Sequence, residues 1–141
     1  MKYFFDTSAL LPVFVDDHVH HDASIATLSK VSKRNACCAA HSLAELFSAL
    51  TRMPGAFQAR PEEAMLVLDS LQSRLSFIAL EPSEYWTTIQ RCSESGIVGG
   101  AVYDALITQC AIKSGSETIY TWNLADFQRL GAEVTRRLRT P

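Results

Sequence analysis

Carboxylates drawn from four separate stretches of the chain, Asp6, Glu45, Asp104 and Asp126, are the residues whose types suit a divalent-cation site. Asp6 ends the apolar run Tyr3-Phe4-Phe5, Asp104 opens Ala105-Leu106-Ile107, and Asp126 follows the strand-like stretch Thr118–Thr121. Two carboxylates ~5 Å apart repel by about 3 kcal/mol at an effective dielectric near 20. Brought together, four of them keep protons or take up a cation. Hard oxygen donors favour Mg²⁺ or Mn²⁺ over zinc, which draws on His and Cys. Such an ion leaves room for phosphate oxygens and an attacking water.

Each acid also has a plainer reading. Asp6 suits a helix N-cap ahead of Thr7-Ser8. Glu45 falls opposite the apolar stripe Leu43, Leu46, Phe47, Leu50, so periodicity alone turns it to solvent. Asp104 suits the first turn of a helix dipole, but its helix is apolar nearly all round, and a buried carboxylate needs a partner. Asp126 suits a cap for a short helix near Phe127. Only convergence of the four favours chemistry over these alternatives.

The elements that must position them alternate. Lys2–Phe5 reads as a strand, residues 9–15 as a short helix capped by Thr7 or Ser8, and residues 22–31 as a helix with Ile25, Leu28 and Val31 on one stripe. Ala36–Ala40 is a second strand, and Ser42 caps a helix to about Arg52. Pro61 opens a helix with a stripe of Met65, Leu68, Leu71 and Leu75. Phe77–Leu80 is a third strand, Pro82 to Ser95 a helix, and Gly96–Gly100 a glycine-rich loop. Residues 102–113 form a buried helix, Thr118–Thr121 a fourth strand, and a short helix runs through Leu130. Gly131–Val134 reads as a small fifth strand before a basic tail of Arg136, Arg137 and Arg139. Alternating strands and helices predict an α/β domain with a mainly parallel sheet of four to five strands between helical layers. Ligands of such sheets sit beyond the carboxyl ends of the strands, where all four acids can meet.

The 141 residues suffice for one domain, 1–141, and 48% apolar with 20% charged content predicts a packed core. A net charge of −2 excludes a global basic field, so nucleic-acid binding must use local groups such as Arg52 or the tail Arg136, Arg137 and Arg139, while Lys30, Lys33 and Arg34 read as a solvated helix end. Asp6 interrupts the N-terminal apolar run too early for a secretory leader, and no stretch is long enough to span a membrane. Cys37, Cys38, Cys92 and Cys110 lack metal spacing and read as reduced thiols of a cytoplasmic protein. His18, His20, His21 and His41 read as solvated loop residues.

Four segments together resemble the PIN domain in its VapC-type toxin form. They are Phe5-Asp6-Thr7-Ser8-Ala9-Leu10, Ser42-Leu43-Ala44-Glu45-Leu46, Gly99-Gly100-Ala101-Val102-Tyr103-Asp104-Ala105-Leu106-Ile107 and Tyr120-Thr121-Trp122-Asn123-Leu124-Ala125-Asp126-Phe127. The resemblance implies a PIN-like three-layer α/β/α fold and a Mg²⁺- or Mn²⁺-dependent ribonuclease, the toxin of a type II toxin–antitoxin pair. It implies Asp6 and Asp104 as principal metal ligands, with Glu45 and Asp126 completing the catalytic set. It gives Thr7 or Ser8 as the hydroxyl supporting the first carboxylates, and places Asn123 where some relatives carry another acid. A homodimer, an RNA substrate and a cognate antitoxin occupying the active-site groove follow as expected partners. The competing reading is a catalytically inactive PIN-like binding or scaffold module, which has no physical need for clustered acids.

Overall fold

The computed structural model describes residues 1–141. Its strands are β1 (Tyr3–Phe5), β2 (Ala36–Ala39), β3 (Ser76–Ile78), β4 (Thr118–Tyr120) and β5 (Leu138–Arg139). They form one sheet in the order β3-β2-β1-β4-β5, with every neighbouring pair parallel. The helices are α1 (Thr7–Leu10), α2 (His21–Leu28), α3 (Ala40–Thr51), α4 (Pro61–Arg74), α5 (Pro82–Glu94), α6 (Ala101–Lys113), α7 (Leu124–Gln128) and α8 (Ala132–Arg137). Short 3-10 turns occupy Leu11–Phe14 and Gly55–Phe57.

Strand alternation divides the apolar residues between two cores. Phe4, Cys37 and Ile119 turn one way, onto Ile107, Cys110 and Ala111 of α6, Phe127 of α7 and Val134 of α8. Phe5 and Cys38 turn the other way, onto Leu10, Leu28, Leu46, Leu71 and Leu75 from α1 to α4 and the turn after it. Both faces of a parallel sheet are thus covered, and the short strands read as continuous apolar runs for that reason. The α/β/α layering agrees with the sequence expectation. All four cysteines are buried and free.

The sheet has its direction change at β1. From there the chain builds β2 and β3 to one side, while β4 and β5 fill the other. The crevice beyond the carboxyl ends of β1 and β4 is therefore the switch point at which open sheets bind ligands.

Several boundaries differ from the sequence expectation. Residues 131–134 are not a strand: Gly131, at φ +117°, holds a left-handed turn that favours glycine, and α8 starts after it. The fifth strand comes later, from the segment read as a basic tail; Thr121 N–H donates to the Arg139 carbonyl at 3.0 Å. Arg137 is also tied down, donating to the Ser116 carbonyl and to Glu133, one helical turn away. Ser42 is not a cap. α3 begins at Ala40, which leaves Ser42 fully buried in its first turns. The cap of α1 is Asp6, not Thr7 or Ser8. Ile25 and Met65 face outward from their expected stripes, and Ala64 takes the buried place on α4.

Candidate active site

Asp6 leaves β1 at the switch point and is buried, 3% exposed. Its backbone N–H still belongs to the sheet, donating to the Tyr120 carbonyl at 2.9 Å. Three donors converge on its Oδ2: the Ser8 N–H at 3.2 Å, the Ser8 hydroxyl at 2.7 Å and the Thr121 hydroxyl at 2.9 Å. The hydroxyls are themselves oriented. Trp122 N–H donates to Ser8 Oγ at 2.9 Å, and Asn123 N–H donates to Thr121 Oγ1 at 3.0 Å. Each hydroxyl oxygen thus accepts from the backbone and turns its proton to the carboxylate. Burial nevertheless raises the Asp6 pKa, with the Ser8 and Thr121 hydrogen bonds opposing it. The plain N-cap reading and the buried-acid reading both describe this residue.

Glu45 does not face open solvent, as periodicity suggested. It sits on the side of α3 turned toward α1, where the Thr7 hydroxyl donates to its Oε1 at 3.0 Å. Burial is the largest cause of its raised pKa, and the Asp6 charge adds to it. Asp104 stands in the first turn of α6, whose residues Ala105 to Thr108 are all buried. Its carboxyl is raised to about 6, first by burial and then by the charges of Asp6, Asp126 and Glu45. Asp6, Glu45 and Asp104 line one cleft of about 400 Å³, together with Thr7, Ser8, His41, Arg52 and Asn123.

Asp126 is set apart. It lines an adjoining hollow with Gly96 and Arg129, and Asp104 forms the wall between hollow and cleft. Its exposed carboxylate is paired with the Arg129 guanidinium, one turn further along. The sequence expectation of four acids on one site thus resolves into three acids on one cleft and a fourth beside it.

The donor chemistry fits a hard divalent cation. The acids offer oxygens only, burial raises the pKa of all three, neighbouring carboxylates raise Glu45 and Asp104 further, and Arg52 is the one Lys or Arg on the cleft lining. No three of the chain's His, Cys, Asp or Glu side chains gather closely enough to hold one ion directly. Mg²⁺ commonly takes one or two carboxylates and retains several waters, so the spacing is compatible with water completing the shell.

Sequence reasoning missed Thr121. Its hydroxyl gains meaning only once β4 is known to lie beside β1, and strand order has no local signature. Two of the histidines read as solvated, His20 and His21, are packed instead. The His20 ring stacks on Trp122, with centroids 3.6 Å apart, and His21 Nδ1 lies 2.7 Å from the Pro12 carbonyl oxygen. His41 is exposed on the cleft rim.

A parallel 3-2-1-4-5 sheet with carboxylates around its switch point defines an acidic-cleft α/β domain. Residues 3–133 match the PIN domain family, and the chain belongs to that family. It is 31% identical over 112 residues to ribonuclease VapC27 of Mycobacterium tuberculosis, covering 79% of this chain and 78% of that protein. It is 30% identical over 132 residues to ribonuclease VapC40 of the same species, covering 92% and 94%. Crystal structures that share the fold include the following two. VapC20 of M. tuberculosis, described as a sarcin-ricin loop cleaving toxin, superposes with a TM-score of 0.72 at 13% identity, covering 89% of this chain and 92% of that one. VapBC2 of Rickettsia felis, bound to a promoter DNA fragment, superposes with a TM-score of 0.70 at 23% identity, covering 99% and 98%.

Proposed function

We propose that this chain is a divalent-cation-dependent endoribonuclease acting as the toxin of a toxin–antitoxin pair. The observation that carries the reading is the meeting of Asp6, Glu45 and Asp104 on one cleft at the switch point of a PIN domain. Ribonuclease relatives at about 30% identity, and neighbours in complexes named VapBC, support the activity and an antitoxin partner.

Asp6 and Asp104 would hold Mg²⁺ or Mn²⁺, with Glu45 and Asp126 orienting its waters. When bound, the ion supplies charge neutralisation at the phosphate and a lowered pKa for the attacking water. The chain's own residues do the positioning. Ser8 and Thr121 aim Asp6 and oppose the rise in its pKa, Thr7 fixes Glu45, and Arg52 reaches the phosphate backbone from the cleft wall. No histidine general base is needed.

The protein works in this reading as a homodimer in the cytoplasm, a setting that suits four free cysteines. No helix is long and apolar enough to cross a membrane. An antitoxin arginine placed among the carboxylates would inhibit by displacing the cation. The scaffold alternative is not favoured, because a module without chemistry gains nothing from three raised, mutually repelling carboxyls.

Incubating the purified protein with total RNA and Mg²⁺ or Mn²⁺ tests the reading. Cleavage that stops in EDTA and is lost in Asp6→Ala and Asp104→Ala is expected. Full activity in either variant would overturn the assignment, and no Mn²⁺ binding at millimolar metal would favour the scaffold.

A further inference from the structure

The helix α6 is buried along most of its length, yet Tyr103 stands 52% exposed immediately before Asp104. Its ring lies nearly parallel to that of His41, with centroids 5.8 Å apart and planes 12° from parallel. His41 comes from a different element, α3, and is itself exposed on the rim of the acid cleft. The pair is thus fixed to the acids by covalent geometry on both sides. Tyr103 is the neighbour of Asp104, and His41 precedes Glu45 by one helical turn, about 6 Å along the axis.

A large aromatic ring left in water beside an acidic cleft contributes little to the core, and here two exposed rings lie together with nearly parallel planes. Single-stranded RNA is read largely by stacking splayed bases on Tyr, His, Phe or Trp. A paired base has both faces covered by its neighbours and cannot use such a surface.

We propose that Tyr103 and His41 form a stacking platform for an unpaired nucleobase adjacent to the scissile phosphate. The inference rests on the ribonuclease reading for its reacting phosphate. Stacking tolerates any base, so the platform selects strand form and register more than sequence.

The test separates the two. Cleavage of total RNA by the wild-type protein with Mn²⁺ reports the ribonuclease reading. The platform is read by anisotropy of a short, fluorescein-labelled single-stranded oligoribonucleotide at fixed salt, in an inactive Asp6→Asn background. Tyr103→Ala and His41→Ala should each weaken binding about tenfold, whereas Tyr103→Phe should keep it. The same oligonucleotide with one abasic position near the cut site should bind the parent weakly and lose nothing further with Tyr103→Ala. An unchanged melting temperature in Tyr103→Ala excludes a folding defect. Equal binding by the parent and both alanine variants would overturn the platform, even if the wild type cuts RNA. Failure to cut, with Tyr103-dependent binding intact, would instead remove the nuclease reading and leave the platform standing. If the variants bind RNA normally but no longer hold a co-expressed antitoxin, the pair is a protein contact and the proposal falls.

Discussion

Thr121 donates a 2.9 Å hydrogen bond to Asp6 across 115 residues of sequence. The bond joins the carboxyl ends of the adjacent strands β1 and β4, and it works together with Ser8, whose hydroxyl reaches the same oxygen. The two hydroxyl oxygens are only 3.1 Å apart. Both hydroxyls can turn their protons to the carboxylate, so the pair opposes the rise in pKa that burial imposes on Asp6.

Replacing Thr121 with valine removes one of those donors at nearly constant volume. The loss should cost about 1 kcal/mol of stability, the worth of an ordinary hydrogen bond. It should also raise the Asp6 pKa further, so cleavage should fall most at the acid end of the pH profile. Thr121→Ser should restore the profile. An unaltered profile in the valine variant would show that Ser8 alone suffices.

Asp104 gives a prediction about pH. Its folded pKa is raised, to about 6, from an ordinary 3.8. Between those values the folded state holds a proton that the unfolded state has lost, so this group makes stability fall as pH rises through that window. Asparagine imitates the protonated form. In EDTA, Asp104→Asn should therefore be more stable than wild type at pH 7.5, by about 1–2 kcal/mol after allowing for partial solvent screening. At pH 3.5 the gain should vanish. Mn²⁺ should raise the wild-type melting temperature and act less on the variant. A pH-independent difference would contradict the electrostatic cause.

How far the sequence revealed this site depends on the residue. Asp104 was legible because α6 is apolar on every side, which forces the helix inward together with its acid. Asp6 was legible from its place at the end of an apolar strand. Glu45 was not, since periodicity separates core from non-core and cannot tell a cleft wall from open water. The late strand β5 was hidden because Leu138 is the one apolar residue among arginines. It forms through backbone pairing with β4 and through the anchoring of Arg137, neither of which leaves a local pattern.

Arg129 competes with any cation for Asp126. The pair is exposed, so its worth is small, about 0.2–1 kcal/mol. Arg129→Ala should tighten Mn²⁺ binding by up to about fivefold, which is that range expressed as affinity. Calorimetric titration of the variant measures it. If affinity is unchanged, Asp126 has no part in the ion's surroundings.

Trp122 connects the histidine turn to the carboxyl end of β4. Its ring stacks on His20, its indole N–H donates to the Ser24 hydroxyl at 3.0 Å, and its backbone N–H orients Ser8. The side chain thereby holds in place a peptide group that any residue at this position would also possess. Trp122→Phe keeps an aromatic face but loses the Ser24 bond and some ring volume, so it should cost about 1–2 kcal/mol and leave kcat near wild type. Trp122→Ala also removes the stack and part of the core packing, at about 2–3 kcal/mol. With the loop released, the Trp122 and Asn123 N–H groups no longer fix the two hydroxyls, and kcat should fall while KM changes little. The chain's other tryptophan, Trp86, is 76% exposed, so Trp86→Phe isolates the Trp122 emission. That emission should lie to the blue of the unfolded protein and should change with Ser24→Ala. If Trp122→Ala retains full kcat, the orientation of Ser8 and Thr121 is set by the strand end alone, and the tie to α2 serves stability only.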